Sequence, residues 1–318
     1  MSEIIEFPKF PDLKPATDAE FEKFKKDYRY VFEYKMDGTA GMVGTNSHTC
    51  EIRGRGEQDG EPSDYTNNFP EIVDAFDKYQ INMSLFQGEI CVFDDNGSDN
   101  INRLQTRPTR KKDIEKYMKL NPAKFMIFDL LRLNGRNLQY EKYVTRRRLL
   151  SDLIKETGLT DHPCIGLVPR KSKTPSKGLL WKFVRDNHRE GITMKNKLSK
   201  YGEGMYKYKV IHTEEAWIDG YEMGTGRLEK LGLIGSLHLY QMVNGKPTYV
   251  GKTGSGLNDA CREEIMKLIR RRGENSSQKI IVEVAIDSIT PDGKFRMPRF
   301  KRLRFDKGWQ QCVQKYRR

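Results

Sequence analysis

The chain has 318 residues, a length that allows two domains, and its 36% hydrophobic and 10% aromatic content excludes a largely disordered protein. A formal net charge of +13 predicts a polyanionic partner, most simply nucleic acid, with a solvated basic surface as the alternative. No apolar run approaches membrane-spanning length and the first residues lack a signal-peptide pattern, so we expect a cytoplasmic protein without a membrane partner. Five scattered cysteines predict reduced thiols and no structural zinc.

The first two thirds of the chain mix short strands with helices. An amphipathic pattern places Ile72, Val73, Phe76 and Tyr79 on one helical face, and Thr17 or Asp18 is the expected cap of the first helix. The predicted helices span 18–26, 69–79, 110–120 and 140–157, and the main predicted strands span 28–35, 84–93, 125–133, 191–195 and 205–211. This mixture predicts an α+β domain.

The pattern changes near residue 210, where we place a domain boundary that divides the chain into 1–210 and 211–318. The predicted strands of the second part span 216–221, 234–243, 247–251, 280–287 and 300–305, with one helix over 257–270. Asn244-Gly245 predicts a tight hairpin turn. These elements indicate a small all-β barrel of the OB-fold type. Residues 294–318 concentrate charge, with ten Lys or Arg and one acidic residue.

The segment Lys35-Met36-Asp37-Gly38 follows a predicted strand and ends in a turn-forming glycine. A lysine at a strand end can be presented to a pocket, where it can act as a nucleophile. The tetrapeptide alone is weak evidence, because it arises by chance in roughly one chain in fifteen of this length. Its meaning therefore depends on what else the chain supplies.

Further motifs follow Lys35 in a fixed order, and each has a plainer interpretation. Arg55 lies on a glycine-flanked strand end and could equally be in a surface turn, while Phe128 could stack on a base or simply be part of the core. Glu89 in an apolar strand needs a cation or metal if it is buried, or is exposed at a strand end. The later elements are Glu190-Gly191 with Lys195, the Lys207-Tyr208-Lys209 pattern that points two lysines to one face, and Arg304 with Lys307 in a basic stretch.

Taken together and in this order, these motifs resemble the ATP-dependent DNA ligases, which are covalent lysyl-nucleotidyltransferases. The resemblance runs from about residue 28 to 307 and matches the minimal two-domain ligases of viruses and phages. It implies an α+β nucleotidyltransferase (adenylation) domain, ATP-grasp-like with mostly antiparallel sheets, followed by an OB-fold domain. It also implies ATP as AMP donor, Mg²⁺ or Mn²⁺ as cofactor, nicked duplex DNA as partner and a monomeric enzyme.

The resemblance also implies roles for matching residues. Lys35 would become adenylated, with Asp37 in the same catalytic motif, and Glu33 and Phe128 would contact the adenine. Arg55 would contact the ribose or the nick phosphate. The remaining implied roles are metal and nucleotide binding by Glu89 and Glu190, phosphate neutralisation by Lys195, Lys207 and Lys209, and closure of Arg304 and Lys307 over pyrophosphate.

Two physical expectations follow from the resemblance. A free lysine is unprotonated in roughly one molecule in 2,500 at pH 7, so we expect Lys195, Lys207, Lys209 and Mg²⁺ to lower the pKa of Lys35. Two positions depart from the family pattern: Ala40 replaces an arginine, and Gln87 replaces an aspartate. Arg53 or Arg55 is expected to compensate for the missing arginine.

Other interpretations share parts of this pattern. An RNA ligase would use the same lysyl-AMP chemistry, and Thr39 after the motif glycine occurs in that class. An mRNA capping enzyme would use GTP, whereas Glu33 beside the base favours adenine. A non-catalytic nucleic-acid-binding protein is the alternative from a different class, but it gives no reason to retain Lys35, Glu89 and Glu190 together.

Overall fold

The computed structural model describes residues 6–46, 49–58, 61–104, 107–272 and 278–314. The chain divides into two compact units, Met1–Val210 and Ile211–Arg318. Three basic residues of the C-terminal stretch, Lys315, Arg317 and Arg318, lie outside the described residues. All five cysteines are described, and each is a free thiol. The described part of the chain contains no helix long and apolar enough to span a membrane.

Unit 1 interleaves helices and strands, which confirms the α+β prediction. Its helices are α1 (Asp18–Lys26), α2 (Pro70–Tyr79), α3 (Ile101–Leu104), α4 (Ile114–Leu120), α5 (Tyr143–Thr157) and α6 (Thr174–Asp186). Its strands are β1 (Lys14–Pro15), β2 (Tyr30–Lys35), β3 (Thr39–Thr45), β4 (Cys50–Gln58), β5 (Glu61–Asp64), β6 (Ser84–Val92), β7 (Ala123–Leu133), β8 (Arg136–Asn137), β9 (Ile165–Leu167), β10 (Arg170–Lys171), β11 (Gly191–Asn196) and β12 (Met205–Lys209).

The ends and faces of the first helices follow from local sequence. Thr17 caps α1, since its hydroxyl accepts from the Glu20 N–H while the Glu20 carboxylate accepts from the Thr17 N–H. Pro70 occupies the first turn of α2, where a missing N–H costs little. Ile72 and Phe76 are buried in the core, as their helical spacing predicts.

Two predicted helices of unit 1 are shorter than expected, and two of its helices, the one-turn α3 and the longer α6, were not predicted. The helix predicted over 110–120 begins at Ile114, after Asp113 with φ +60°, and the one predicted from Tyr140 begins at Tyr143. Helix α6 was not predicted from the sequence because Pro175 and Gly178 are residue types that are typical of turns. It forms because its apolar face is buried and because Lys177 Nζ donates to the backbone carbonyl oxygens of Phe24 and Asp27.

The strands of unit 1 form sheets that meet at the lysine motif. One sheet has the order β5-β4-β3-β6-β7-β8, with β9 parallel to β7, and the other has the order β1-β12-β11-β2-β10. One apolar core packs α2 and α5 against the first sheet, and another packs α1 and α6 against the second. Because β2 and β3 belong to different sheets, the chain crosses between the sheets at Met36-Asp37-Gly38.

Unit 2 contains β13 (His212–Met223), α7 (Arg227–Lys230), β14 (Ile234–Val243), β15 (Lys246–Thr253), α8 (Asp259–Arg272), β16 (Ile280–Ile286), β17 (Ser288–Ile289), β18 (Phe295–Arg296) and β19 (Arg299–Arg304). Its main sheet has the order β15-β14-β13-β16-β19, and Asn244-Gly245 forms the predicted turn. The Phe300 N–H donates to Ser255 O at 2.9 Å, so the two edges of the sheet approach each other. This partly closed sheet is the arrangement expected for a small barrel of the OB type.

A buried ion pair joins β7 to α5. The Arg146 guanidinium donates to both carboxylate oxygens of Asp129, at 2.8 and 2.7 Å, and both side chains are buried. Removing one partner leaves a buried charge without compensation. This lowers the free energy of unfolding by more than the intact pair contributes to it.

Asp129→Ala should therefore lower the free energy of unfolding of unit 1 by about 3–5 kcal/mol. Hydrogen exchange of the β7 amides, followed by mass spectrometry across a urea series, measures this loss. Asp152→Ala makes the same change at an exposed position on α5 and should leave exchange near the wild-type level. Equal protection in the two variants would contradict the assignment.

Candidate active site

A cavity of about 310 Å³ lies in unit 1, where the two sheets face each other. Most of the predicted site residues of unit 1 line it: Glu33, Lys35, Arg55, Glu89, Phe128, Lys195, Lys207 and Lys209. Ala40 and Gln87, the two positions that depart from the family pattern, also line it, together with Pro11 and Leu13 from the N-terminal segment. The fold thus brings residues that are far apart in sequence to one cavity.

Lys35 is the last residue of β2 and pairs in register with Gly191 on β11. This register places the neighbouring Glu190 beside the lysine, and Lys35 Nζ donates to Glu190 Oε2 at 2.6 Å. The other oxygen, Glu190 Oε1, lies 2.9 Å from Lys209 Nζ. Glu190 therefore bridges the candidate nucleophile and a second lysine.

The glycines of the two motifs are required by close backbone packing. A Cβ on Gly38 would lie 2.3 Å from Ile90 O, and a Cβ on Gly191 would lie 2.3 Å from Tyr208 O. Both distances are far below van der Waals contact. Any larger residue at Gly38 or Gly191 would push apart the strands that position Lys35 and Glu190.

The expectation that nearby lysines lower the pKa of Lys35 is wrong for this structure. Burial lowers the pKa, but the carboxylates of Glu190, Glu89 and Asp37 outweigh burial, so the pKa of Lys35 lies above its ordinary value. Two of the three lysines are themselves paired with carboxylates, Lys195 with Glu33 at 2.7 Å and Lys209 with Glu190 at 2.9 Å. Without nucleotide, Lys35 is an ammonium ion held by carboxylates.

Glu89 has the most perturbed carboxyl group of the cavity. Burial raises its pKa, Lys35 lowers it, and the charges of Glu190 and Asp37 raise it further, to about 8. Arg55 lowers this pKa too, so its positive charge acts on Glu89. The residue that pairs with Glu89 across the sheet is Ala40, which carries no charge.

The opposite end of the cavity holds a buried network around Glu33. Glu33 is 1% exposed, pairs with Lys195, and accepts a hydrogen bond from the Tyr143 hydroxyl. Lys195 Nζ lies 4.3 Å from the centroid of the Phe128 ring and 5.3 Å from that of Tyr143. Lys195 is thus tied to Glu33. Sequence reasoning missed Tyr143, whose only signal is an aromatic residue at a helix start.

The two arginines that were expected to compensate for Ala40 lie in different surroundings. Arg53 NH2 lies 2.7 Å from Glu51 and Arg53 NH1 lies 3.1 Å from Asp64, so carboxylates neutralise it. Arg55 is exposed, lines the cavity, donates to Pro11 O at 3.0 Å, and lies 3.7 Å from a single carboxylate among the described side chains, that of the exposed Asp12. Arg55 is therefore the better placed of the two to meet a phosphate.

Arg304 and Lys307 belong to unit 2, where acidic side chains hold them. Arg304 NH1 donates to Glu215 Oε1 at 2.6 Å, and Lys307 Nζ donates to the same oxygen at 2.5 Å. Glu283 and Asp306 also accept from the Arg304 guanidinium. Glu215 was not predicted from the sequence, because nothing in its neighbourhood on the chain marks it as the partner of residues ninety positions later.

No group of three or more His, Cys, Asp or Glu arranged to hold a metal ion occurs among the described residues. The predicted metal-binding pair, Glu89 and Glu190, does lie together beside Lys35. Burial raises the pKa of Glu89 and the charge of Glu190 raises it further, although Lys35 and Lys209 contact Glu190, so added positive charge would stabilise the ionised Glu89 carboxylate. A divalent cation would supply that charge, so the two residues fit a metal with further ligands from nucleotide and water.

Comparison with known proteins identifies the family. The family model described as "ATP dependent DNA ligase domain" matches residues 13–211, and the one described as "ATP dependent DNA ligase C terminal region" matches residues 230–307. The chain belongs to the ATP-dependent DNA ligase family, which confirms the resemblance inferred from its motifs.

Individual relatives agree with this assignment. DNA ligase 2 of Methanosarcina acetivorans is 27% identical over 93% of this chain and 55% of its own length. DNA ligase of Methanocaldococcus jannaschii is 28% identical over 96% of this chain and 59% of its own length. The chain thus spans little more than half the length of these relatives. A solved Lig E DNA ligase has a TM-score of 0.62 at 17% identity, with 94% of this chain and all of that chain covered, a likeness that shows the fold alone.

The raised pKa of Glu89 predicts how stability depends on pH. Between its ordinary value of 4.5 and about 8, the folded protein binds more protons at this site than the unfolded chain. The contribution of Glu89 to the free energy of unfolding therefore falls as pH rises through this window.

Glu89→Gln removes the titrating group, so the variant should gain stability relative to wild type between pH 5 and pH 8, without nucleotide or metal. Urea denaturation at several pH values measures the difference. Glu115→Gln, at an exposed position on α4, should retain the wild-type trend. A difference between Glu89→Gln and wild type that does not change with pH would refute the assignment.

Proposed function

We propose that this chain is an ATP-dependent DNA ligase that seals nicks in duplex DNA through a lysyl-AMP intermediate on Lys35. The observation that carries the proposal is the position of Lys35 in a nucleotide-sized cavity, in contact with Glu190 and between further cationic and acidic groups. Family membership supports the same reaction.

ATP would lie with its base toward Glu33 and its phosphates toward the lysines. Phe128 offers an aromatic face for stacking at the base end. Glu33 is held by Tyr143 and Lys195, and an ionised carboxylate can only accept hydrogen bonds. It therefore suits the amino group of adenine and disfavours the carbonyl oxygen of guanine, which is the argument for ATP over GTP.

The first step requires the Lys35 ammonium to lose its proton. Glu190 Oε2 already accepts a hydrogen bond from Nζ at 2.6 Å and is the nearest base. The free amine then attacks the α-phosphorus of ATP, a nitrogen–phosphorus bond forms, and the bond to the β-phosphate oxygen breaks. Pyrophosphate leaves with the electron pair of that bond, while Lys207 and Lys209 stabilise the negative charge.

Glu89 and Glu190 would hold a divalent cation, Mg²⁺ or Mn²⁺. When bound, the metal supplies positive charge that neutralises phosphate oxygens. The carboxylates of this chain supply its protein ligands, and the same positive charge would disfavour the ammonium form of Lys35. With nucleotide and metal bound, the pKa of Lys35 would therefore be lower than it is in the protein without nucleotide.

The next two steps act on DNA. The 5′-phosphate of a nick attacks the phosphorus of lysyl-AMP, which frees Lys35 and produces an adenylated 5′ end. The 3′-hydroxyl then attacks the 5′-phosphorus, the phosphodiester forms, and AMP leaves. The net charge of +13 supports salt-dependent binding to DNA phosphates.

Arg304 and Lys307 would act in the first step. They would leave the Glu215 carboxylate and bind pyrophosphate instead.

Lys35→Ala should abolish the acid-stable label that wild type acquires from α-labelled ATP with Mg²⁺, and GTP should give no label. Lys171→Ala, at an exposed lysine on β10 beside β2, is the matched control and should label fully. Sealing of nicked DNA in preference to nicked RNA separates a DNA ligase from an RNA ligase. Full labelling of Lys35→Ala, or none of wild type, would refute the proposal.

Arg55→Ala should form lysyl-AMP normally but transfer AMP to a nick about tenfold more slowly or worse, because a charged hydrogen bond to the 5′-phosphate is lost. Arg53→Ala tests the same chemistry at a neutralised arginine and should transfer AMP at close to the wild-type rate. Single-turnover transfer from purified lysyl-AMP enzyme to nicked DNA measures both. Equal defects in the two variants would contradict the role of Arg55.

A further inference from the structure

Asp99 is a buried carboxylate that no part of the reaction scheme uses. It lies in the loop after β6, on the side of β2 opposite the nucleotide cavity, and is 2% exposed. Its Oδ1 accepts a hydrogen bond from the Tyr34 hydroxyl at 2.5 Å, and its Oδ2 accepts one from the Asp37 backbone N–H at 2.6 Å. Arg189 NH1 lies 3.5 Å from Oδ1.

These contacts join the two chain segments that hold the Lys35–Glu190 ion pair. Tyr34 and Asp37 lie on either side of Lys35, and Arg189 immediately precedes Glu190. The turn Met36-Asp37-Gly38 has left the ladder of β2, so its backbone N–H groups need acceptors from outside the sheet. Asp99 supplies the acceptor for Asp37.

The Met36 side of the turn borders open space, although Gly38 packs closely against the backbone of Ile90. A cavity of about 330 Å³ lies there, and Tyr34, Met36, Asp99 and Arg189 all line it. Side chains that border a cavity lack contacts on one side and can shift at low cost. The hydrogen bonds of Asp99 therefore constrain the turn on this side, in addition to the backbone packing at Gly38.

We propose that Asp99 is a positioning residue that fixes the Lys35 ammonium group, through both of its flanks, in line with the α-phosphorus of ATP. The inference rests on the proposed function, since it concerns the step that adenylates Lys35. It predicts a defect mainly in the attack of the lysine, because Asp99 does not itself line the nucleotide cavity, although its partner Tyr34 lines both cavities.

Asp99→Asn preserves the shape of the side chain but keeps one accepting oxygen. The amide nitrogen cannot accept from the Asp37 N–H, so it would face the Tyr34 hydroxyl, which would have to reverse and accept from it. Both hydrogen bonds also lose the negative charge of the carboxylate and become weaker. A displacement of the lysine by about 1 Å can slow a reaction by about a hundredfold without weakening substrate binding. Tyr34→Phe, which removes a single donor, should give a smaller defect of the same kind.

The experiment compares two reactions of the full chain. One is the single-turnover rate of lysyl-AMP formation at saturating ATP. The other is sealing of a nick that already carries AMP on its 5′-phosphate, which bypasses the attack of Lys35. Asp95→Asn, the same change at an exposed position in the same loop, is the control and should match wild type in both reactions.

Asp99→Asn should slow lysyl-AMP formation by about ten- to a hundredfold, with ATP affinity and sealing of the pre-adenylated nick close to wild type. Unchanged lysyl-AMP formation would overturn the inference, and so would an equal loss of both reactions, which indicates a general structural defect. If Asp99→Asn does not fold, Tyr34→Phe is measured in the same two reactions. Unchanged lysyl-AMP formation, or an equal loss of both reactions, in Tyr34→Phe would then overturn the inference. A wild-type protein that forms no lysyl-AMP would overturn the proposed function as well, whereas an active wild type with an unaffected Asp99→Asn overturns this inference alone.

Discussion

The pairing of β2 with β11 is the constraint on which the site depends. It sets Lys35 opposite Gly191, so the carboxylate of Glu190 lies 2.6 Å from the lysine Nζ. A shift of one residue in this register would turn Lys35 away from the cavity, since successive side chains of a strand point to opposite faces. The close approach of β12 behind Gly191 excludes a side chain there and helps to fix this register.

Charge compensation extends from this pair through the nucleotide cavity. Glu190 also binds Lys209, Glu33 binds Lys195, and Glu89 remains with a pKa raised to about 8. Buried charges are tolerated when they are paired, and the cavity keeps one carboxylate short of a partner. In the function proposed above, a divalent cation bound together with ATP would supply the positive charge that this carboxylate needs.

Sequence reasoning located the elements that carry local signals. Lys35, Glu190 and the Lys207-Tyr208-Lys209 pattern were identifiable because glycines and strand alternation mark them, and α1 because of its capping box. Tyr143, Asp99 and Glu215 were missed because their partners are distant in the chain and only the fold brings them together. The pKa of Lys35 was mispredicted for a related reason. The sequence shows which cations are present, but not that Glu33 pairs with Lys195 and Glu190 with both Lys35 and Lys209.

The central claim is that Lys35 becomes the adenylated residue, and peptide mapping tests it most directly. The wild-type protein is incubated with ATP and Mg²⁺ and digested, and the peptides are sequenced by tandem mass spectrometry to locate AMP. We expect a single AMP adduct, on the Nζ atom of Lys35 in the peptide that contains Met36 and Asp37. An adduct on Lys195, Lys207 or Lys209, or no adduct on any lysine, would contradict it.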